Sequence, residues 1–172
     1  METELEHIIM NAYKDQMMHF MYTHPGCFEE AAEMAISERE PFCWRATWLL
    51  HSCANDNDSR LQSYVDQFID AIRGKRDGHQ RELLKLLLRM NLNEDQEGRL
   101  FDLCVEIWEK INYRPSVRAT AFNFIVATVK KYPDLKSEIE YFTQDQYLET
   151  LSPGIKRVIQ RMAKEAFENG IE

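Results

Sequence analysis

Residues that make tight turns are scarce in this 172-residue chain, with only six glycines and five prolines. An all-β fold needs many such turns, so that class is excluded. No apolar run approaches the length that a transmembrane helix requires, about 18 residues. The N-terminus, Met1-Glu2-Thr3-Glu4, is acidic and is followed by polar residues in every turn. That is the wrong pattern for a secretory signal, and the expectation is a cytoplasmic protein with no membrane attachment. The four cysteines, Cys27, Cys43, Cys53 and Cys104, form no C-x-x-C pair and read as buried thiols in a reducing compartment.

Signatures of chemistry are missing too. The chain has no G-x-S-x-G, no glycine-rich phosphate loop and no cysteine with an obvious histidine partner. His19 and His24 lie near Glu29 and Glu30 but straddle Pro25 and form no H-E-x-x-H face. Asn55-Asp56-Asn57-Asp58, close to His51 and Cys53, shares only its composition with a calcium loop, because the central glycine and the bidentate glutamate are absent. It reads instead as a polar turn capping a helix at Asp58-Ser59. The expectation is a non-enzyme with no metal and no cofactor.

What is present is helical periodicity. Hydrophobic residues make up 44% and charged residues 29%, ordinary proportions for one globular domain over 1–172. Leu61, Val65, Phe68 and Ile72 fall on one helical stripe, as do Leu100, Cys104, Ile107 and Ile111, and Ile155, Val158, Ile159, Met162 and Ala166. No period-two alternation argues for a strand. Pro25, Pro41, Pro115 and Pro133 separate the patterns, Ser152-Pro153 is a cap followed by a first helical position, and Asp58-Ser59, Asn93 and Asp134 are further starts. These signals predict nine helices near 3–20, 26–38, 41–54, 59–73, 77–90, 94–111, 115–131, 134–149 and 153–168. Connections of roughly 2–5 residues make neighbours antiparallel.

The pattern repeats. Helix starts at Pro41, Gly78, Pro115 and Pro153 recur about every 37 residues, and each is followed within four positions by a basic residue: Arg45, Arg81, Arg118, then Lys156 with Arg157. Arg45-Ala46-Thr47 returns as Arg118-Ala119-Thr120. Each repeat is thus a helix A, a turn and a helix B. Pro115-Ser116-Val117-Arg118-Ala119 and Ser152-Pro153-Gly154-Ile155-Lys156 resemble the first helix of HEAT repeats, and Tyr132-Pro133-Asp134-Leu135 resembles the start of the second. The resemblance covers 41–168, with 1–40 fitting a capping helix pair that lacks the motif. It implies an all-α, right-handed superhelix of antiparallel helix pairs, about four and a half HEAT-like repeats of the armadillo type.

Charge divides between the two helices of each unit. The A helix near 75–90 carries Lys75, Arg76, Arg81, Lys85 and Arg89 against Asp77 and Glu82, and the next carries Arg114, Arg118, Lys130 and Lys131 against no acid. The B helix at 94–111 has Glu94, Asp95, Glu97, Asp102, Glu106 and Glu109 against Arg99 and Lys110. The one at 134–149 has Asp134, Glu138, Glu140, Asp145 and Glu149 against Lys136. One reading is mutual bridging of A and B helices, with surface pairs of about 0–1 kcal/mol each. The other follows from the resemblance, which implies that B helices line the concave face. Asp66, Asp70, Asp102, Glu106, Glu109, Glu140 and Tyr141 then form an acidic, aromatic-dotted groove for a basic peptide or protein.

The net charge of −8 works against general binding of nucleic acid. The alternative partner is nevertheless nucleic acid on the basic A helices, since the chain distantly resembles in fold the bacterial alkylpurine DNA glycosylases. They use aromatic and acidic residues on a basic concave face, a pattern from which this acidic chain departs, and their catalytic residues match no position here. Trp44, Trp48 and Trp108 read as core. Met17, Met18, Phe20, Met21 and Tyr22 are too nearly contiguous to face one side, and with Met10 they suggest an N-terminal surface for a second copy of the chain.

Overall fold

The computed structural model describes residues 1–168, and among them the chain is helical with no strand. The α-helices are α1 (Glu4–Asn11), α2 (Lys14–Thr23), α3 (Cys27–Ile36), α4 (Phe42–Cys53), α5 (Val65–Ala71), α6 (Asp77–Leu87), α7 (Glu94–Glu109), α8 (Pro115–Lys131), α9 (Lys136–Phe142), α10 (Asp145–Leu148) and α11 (Pro153–Glu168). Single 3-10 turns, Gln62–Tyr64 and Ile72–Gly74, flank α5, and a third, Pro133–Leu135, leads into α9. The chain forms two compact units, one of Met1–Gln96 and one beginning at Glu97.

The repeated breakers do what their chemistry predicts. Pro115 and Pro153 are the first residues of α8 and α11, Pro41 caps α4, and Gly78 is the second residue of α6. Asn93 accepts from the Gln96 backbone amide at 2.9 Å while the Gln96 side chain accepts from the Asn93 amide at 3.1 Å, so two otherwise unpaired donors at the start of α7 are satisfied together. In the first unit α4 packs on α3 and α6; in the second α8 packs on α9 and α11. The stripe Leu61, Val65, Phe68 and Ile72 is fully buried, as are Leu100 and Cys104.

Some expectations fail for local reasons. The single helix expected over 3–20 is two, because the Tyr13 amide turns to the Gln16 side chain at 2.9 Å and opens a second N-terminus. The helix expected over 134–149 breaks at Thr143-Gln144, where the Thr143 hydroxyl donates to the Ile139 carbonyl at 2.9 Å. Asp58 does not cap a helix. Its buried carboxylate accepts from the Asn55 and Arg60 amides, both at 3.1 Å, and from the Arg60 guanidinium, holding a turn in which Asn57 is left-handed at φ 54°. Ile111 is 48% exposed rather than inward, because α7 ends two residues earlier. Trp108 and Leu103 fill that side of the helix instead.

Two buried polar groups show how A helices are fixed. His79 on α6 meets Thr47 on α4, Nε2 to Oγ1 at 2.9 Å. The Thr47 hydroxyl already donates to the Cys43 carbonyl at 2.9 Å, so it accepts from His79, and the imidazole is neutral with a bare, buried Nδ1. Burial, aided by the Lys75 ammonium, lowers the His79 pKa to about 4. In the second unit Arg118 of α8 is wholly buried. Its guanidinium donates to the Trp108 carbonyl at 2.9 Å, the Tyr147 carbonyl at 2.8 Å and the Thr150 hydroxyl at 3.3 Å, and lies 4.6 Å from the centre of the Trp108 ring. Arg45 makes a related contact in the first unit, donating to the Ile9 carbonyl near the end of α1 at 2.9 Å. The basic residue that follows each helix start thus serves, at these two positions, as a cap for the carbonyl end of another helix.

Removing the Arg118 guanidinium strands those carbonyls, so Arg118→Ala is expected to lower unfolding stability by about 3–5 kcal/mol in urea titrations. An unchanged midpoint would refute the cap. Acid should act separately on His79. Its folded pKa lies below the unfolded value of 6.5, so the unfolded chain binds the extra proton, and stability is lost as pH falls from about 6.5 towards 4. The loss is at most roughly 3 kcal/mol. Asp58, lowered to about 2 chiefly by the Arg60 guanidinium, contributes a further loss only below its ordinary 3.8. Thermal midpoints of His79→Gln should therefore vary less than wild type between pH 6.5 and 4, while the step below pH 3.8 persists in both.

Candidate interaction surface

The charges expected on the A helices are largely spent within the protein. Arg118 is buried, and the Lys75 ammonium is covered, donating to the Ser37 carbonyl and to Glu38, both at 2.6 Å. Arg81 and Lys85 converge on the buried Glu82 of their own helix, at 3.0 and 3.3 Å. Arg89 donates to Asp56 at 2.7 Å and to the carbonyls of His51 and Ala54 at the end of α4. In the second unit Lys131 meets Glu97 at 2.7 Å and Lys130 meets Glu165 at 3.5 Å. The Lys131 to Glu97 contact is a bridge between an A and a B helix.

The acidic B-helix residues remain at the surface. In the first unit Asp66 and Asp70 are exposed on α5, and Asp66 accepts from the Gln96 side chain at 3.1 Å. In the second unit Asp102 and Glu109 are exposed on α7, and Glu106 is half-buried and paired with Lys110 at 2.8 Å. Glu140 and Tyr141 are exposed on α9.

Of these, Glu109 and Tyr141 are brought together by a residue that the sequence reading did not single out. The Tyr147 hydroxyl on α10 donates to Glu109 Oε1 at 3.4 Å, and its ring stands edge-on to Tyr141, centres 5.6 Å apart, and 6.0 Å from Phe142. Burial and the Tyr141 hydroxyl push the Tyr147 phenol up to about 12, so it stays a donor at neutral pH. Six residues apart, Tyr141 and Tyr147 would face different sides of one continuous helix. The break at Thr143-Gln144 removes that constraint.

Other candidates resolve more simply. Trp108 is core and donates to the Phe142 carbonyl at 3.0 Å, whereas Trp44, expected in the core, is 41% exposed beside Arg45. Phe20 and Met21 are buried and Met17 and Met18 half-buried, while Met10, Tyr13 and Tyr22 are exposed. Cys43, Cys53 and Cys104 are buried and Cys27 half-buried, all as free thiols. A cavity of about 340 Å³ lies between the start of α3 and the turn before α5, lined by Phe28, Glu29, Arg60 and Tyr64 among others. Among the described residues no group of three His, Cys, Asp or Glu side chains is placed to hold a metal, and no helix is long and apolar enough to cross a membrane.

The chain matches no curated protein and no solved structure. A family model does match, that of the HEAT repeat domain, over residues 1–166. With its helix pairs, its breakers at a constant interval and nearly its whole length inside that match, this chain belongs to the HEAT repeat family.

Proposed function

We propose that this chain is a non-catalytic, cytoplasmic interaction scaffold that holds a basic peptide or protein on the carboxylates of its B helices. HEAT repeats generally mediate protein interactions. The residues assigned to the partner are Asp66 and Asp70 on α5, Asp102, Glu106 and Glu109 on α7, and Glu140 with Tyr141 on α9.

The observation that carries the reading is the unequal fate of the two signs of charge. Several cations of the A helices are buried against carbonyls or paired with acids, as at Arg118, Lys75, Arg89 and Lys131. Asp102, Glu109 and Glu140 stay exposed, and no cation among the described residues pairs with Glu109. A surface left with surplus negative charge attracts and orients a basic partner, and that attraction is screened over about 10 Å at 0.1 M salt.

The test is fluorescence anisotropy with a labelled peptide of mixed arginine and lysine. Binding should weaken as salt rises from about 50 to 300 mM. Replacing Asp70, Asp102 and Glu109 together by lysine should weaken it at least about tenfold, or roughly 1.4 kcal/mol. Equal affinity of wild type and the triple variant at low salt would overturn the proposal.

A further inference from the structure

The acidic surface contains one corner whose parts are held more tightly than a solvated face requires. Three residues meet there from three helices: Glu109 at the end of α7, Tyr141 on α9 and Tyr147 on α10. Each is tied to the interior through the backbone at its own position or its neighbour's. Arg118 donates to the carbonyls of Trp108, which precedes Glu109, and of Tyr147 itself. The Trp108 indole donates to the carbonyl of Phe142, which follows Tyr141. Trp108, Phe122 and Phe142 beneath are buried.

We infer that this corner is a socket for a single arginine side chain of the basic partner, its guanidinium stacked on the Tyr141 ring and hydrogen-bonded to the Glu109 carboxylate. The inference rests on the scaffold reading above and names the group recognised at that same surface.

The chemistry favours arginine. Tyr141 is 44% exposed, and a planar guanidinium can lie flat on an accessible tyrosine ring. Glu109 is an exposed carboxylate whose one hydrogen bond among the described residues is the long one from the Tyr147 hydroxyl, so both oxygens keep acceptor capacity for a forked donor. Lysine, a compact and strongly hydrated point charge, matches the carboxylate but not the flat ring. The adjacent cation of the chain does not fill the place, because Lys110 is engaged by Glu106 at 2.8 Å and lies 5.2 Å from the Tyr113 ring. Fixing the groups before the partner arrives removes ordering costs that a flexible surface would meet on binding.

The experiment compares three labelled octapeptides that alternate glycine with arginine, lysine or citrulline, each titrated against the full chain by anisotropy at about 50 mM salt. The arginine peptide should bind about fivefold or more tighter than the lysine peptide, and the citrulline peptide, flat but uncharged, should bind weakest. Tyr141→Leu should abolish the preference for arginine over lysine by weakening the arginine peptide more than the lysine peptide, and Tyr141→Phe should retain it. Glu109→Gln should weaken the arginine peptide more than the lysine peptide. Circular dichroism melts of the three variants at these exposed positions should match wild type. Equal binding of arginine and lysine peptides, with both lost in the triple charge reversal, overturns the socket and leaves the basic-partner reading standing. Salt-insensitive binding, or none of either charged peptide, overturns both.

Discussion

A guanidinium can be taken out of water without a carboxylate only where several well-placed oxygens replace its hydration, and Arg118 meets that condition with two helix-end carbonyls and a hydroxyl. Much of the second unit follows from it. The carbonyl of Trp108 lies in the last turn of α7, and that of Tyr147 lies in the one-turn α10, so a single side chain on α8 fixes where both helices stop. Burial disfavours its charged form and lowers its pKa, yet the fork stays matched to carbonyl ends that carry partial negative charge. The Trp108 ring, 4.6 Å from the Phe122 ring and bonded to the Phe142 carbonyl, closes the same knot from the other side.

This arrangement alters the meaning of positive charge in the chain. Basic residues recurring after each helix start look like surface cations when counted along the sequence. In the structure Arg118 and Arg45 reach main-chain oxygens, and Arg89 binds the end of α4. The negative side chains have no comparable internal use at Asp102, Glu109 and Glu140, which remain in solvent. Glu82, like Asp58, differs. It is buried with Arg81, Lys85 and His51 gathered round it.

Legibility in the sequence tracked the range of the interaction involved. Breakers act within one turn, so the starts at Pro115 and Pro153 could be read directly, and so could the buried stripe of Leu61, Val65, Phe68 and Ile72, which depends on the 3.6-residue period alone. The breaks at Ala12-Tyr13 and Thr143-Gln144 carry no proline or glycine and were not readable; at the first a side chain takes up the Tyr13 amide, and at the second Gln144 turns to extended backbone. Ile111 was misplaced because a stripe extrapolates past a helix end. Tyr147 escaped because its relation to Tyr141 exists only once the helix between them is interrupted. Part of the candidate surface was named from periodicity, as with Glu109 and Tyr141, but what joins them is tertiary.

Two of the three hydrogen bonds that Arg118 donates go to peptide carbonyls, which every amino acid supplies; only the third, to the Thr150 hydroxyl, and the ring of Trp108 call for particular side chains. The cap therefore places no demand on the side chains of Glu109 or Tyr141, which stand beside its anchor points. Glu109 could become any residue without the guanidinium losing an acceptor, and the same holds for Tyr141. Foldability and recognition are thus written in separate alphabets on the same few residues, one in main chain and one in side chain. A repeat built this way can be re-addressed to a different partner by surface substitution alone, while its helices continue to end where they did.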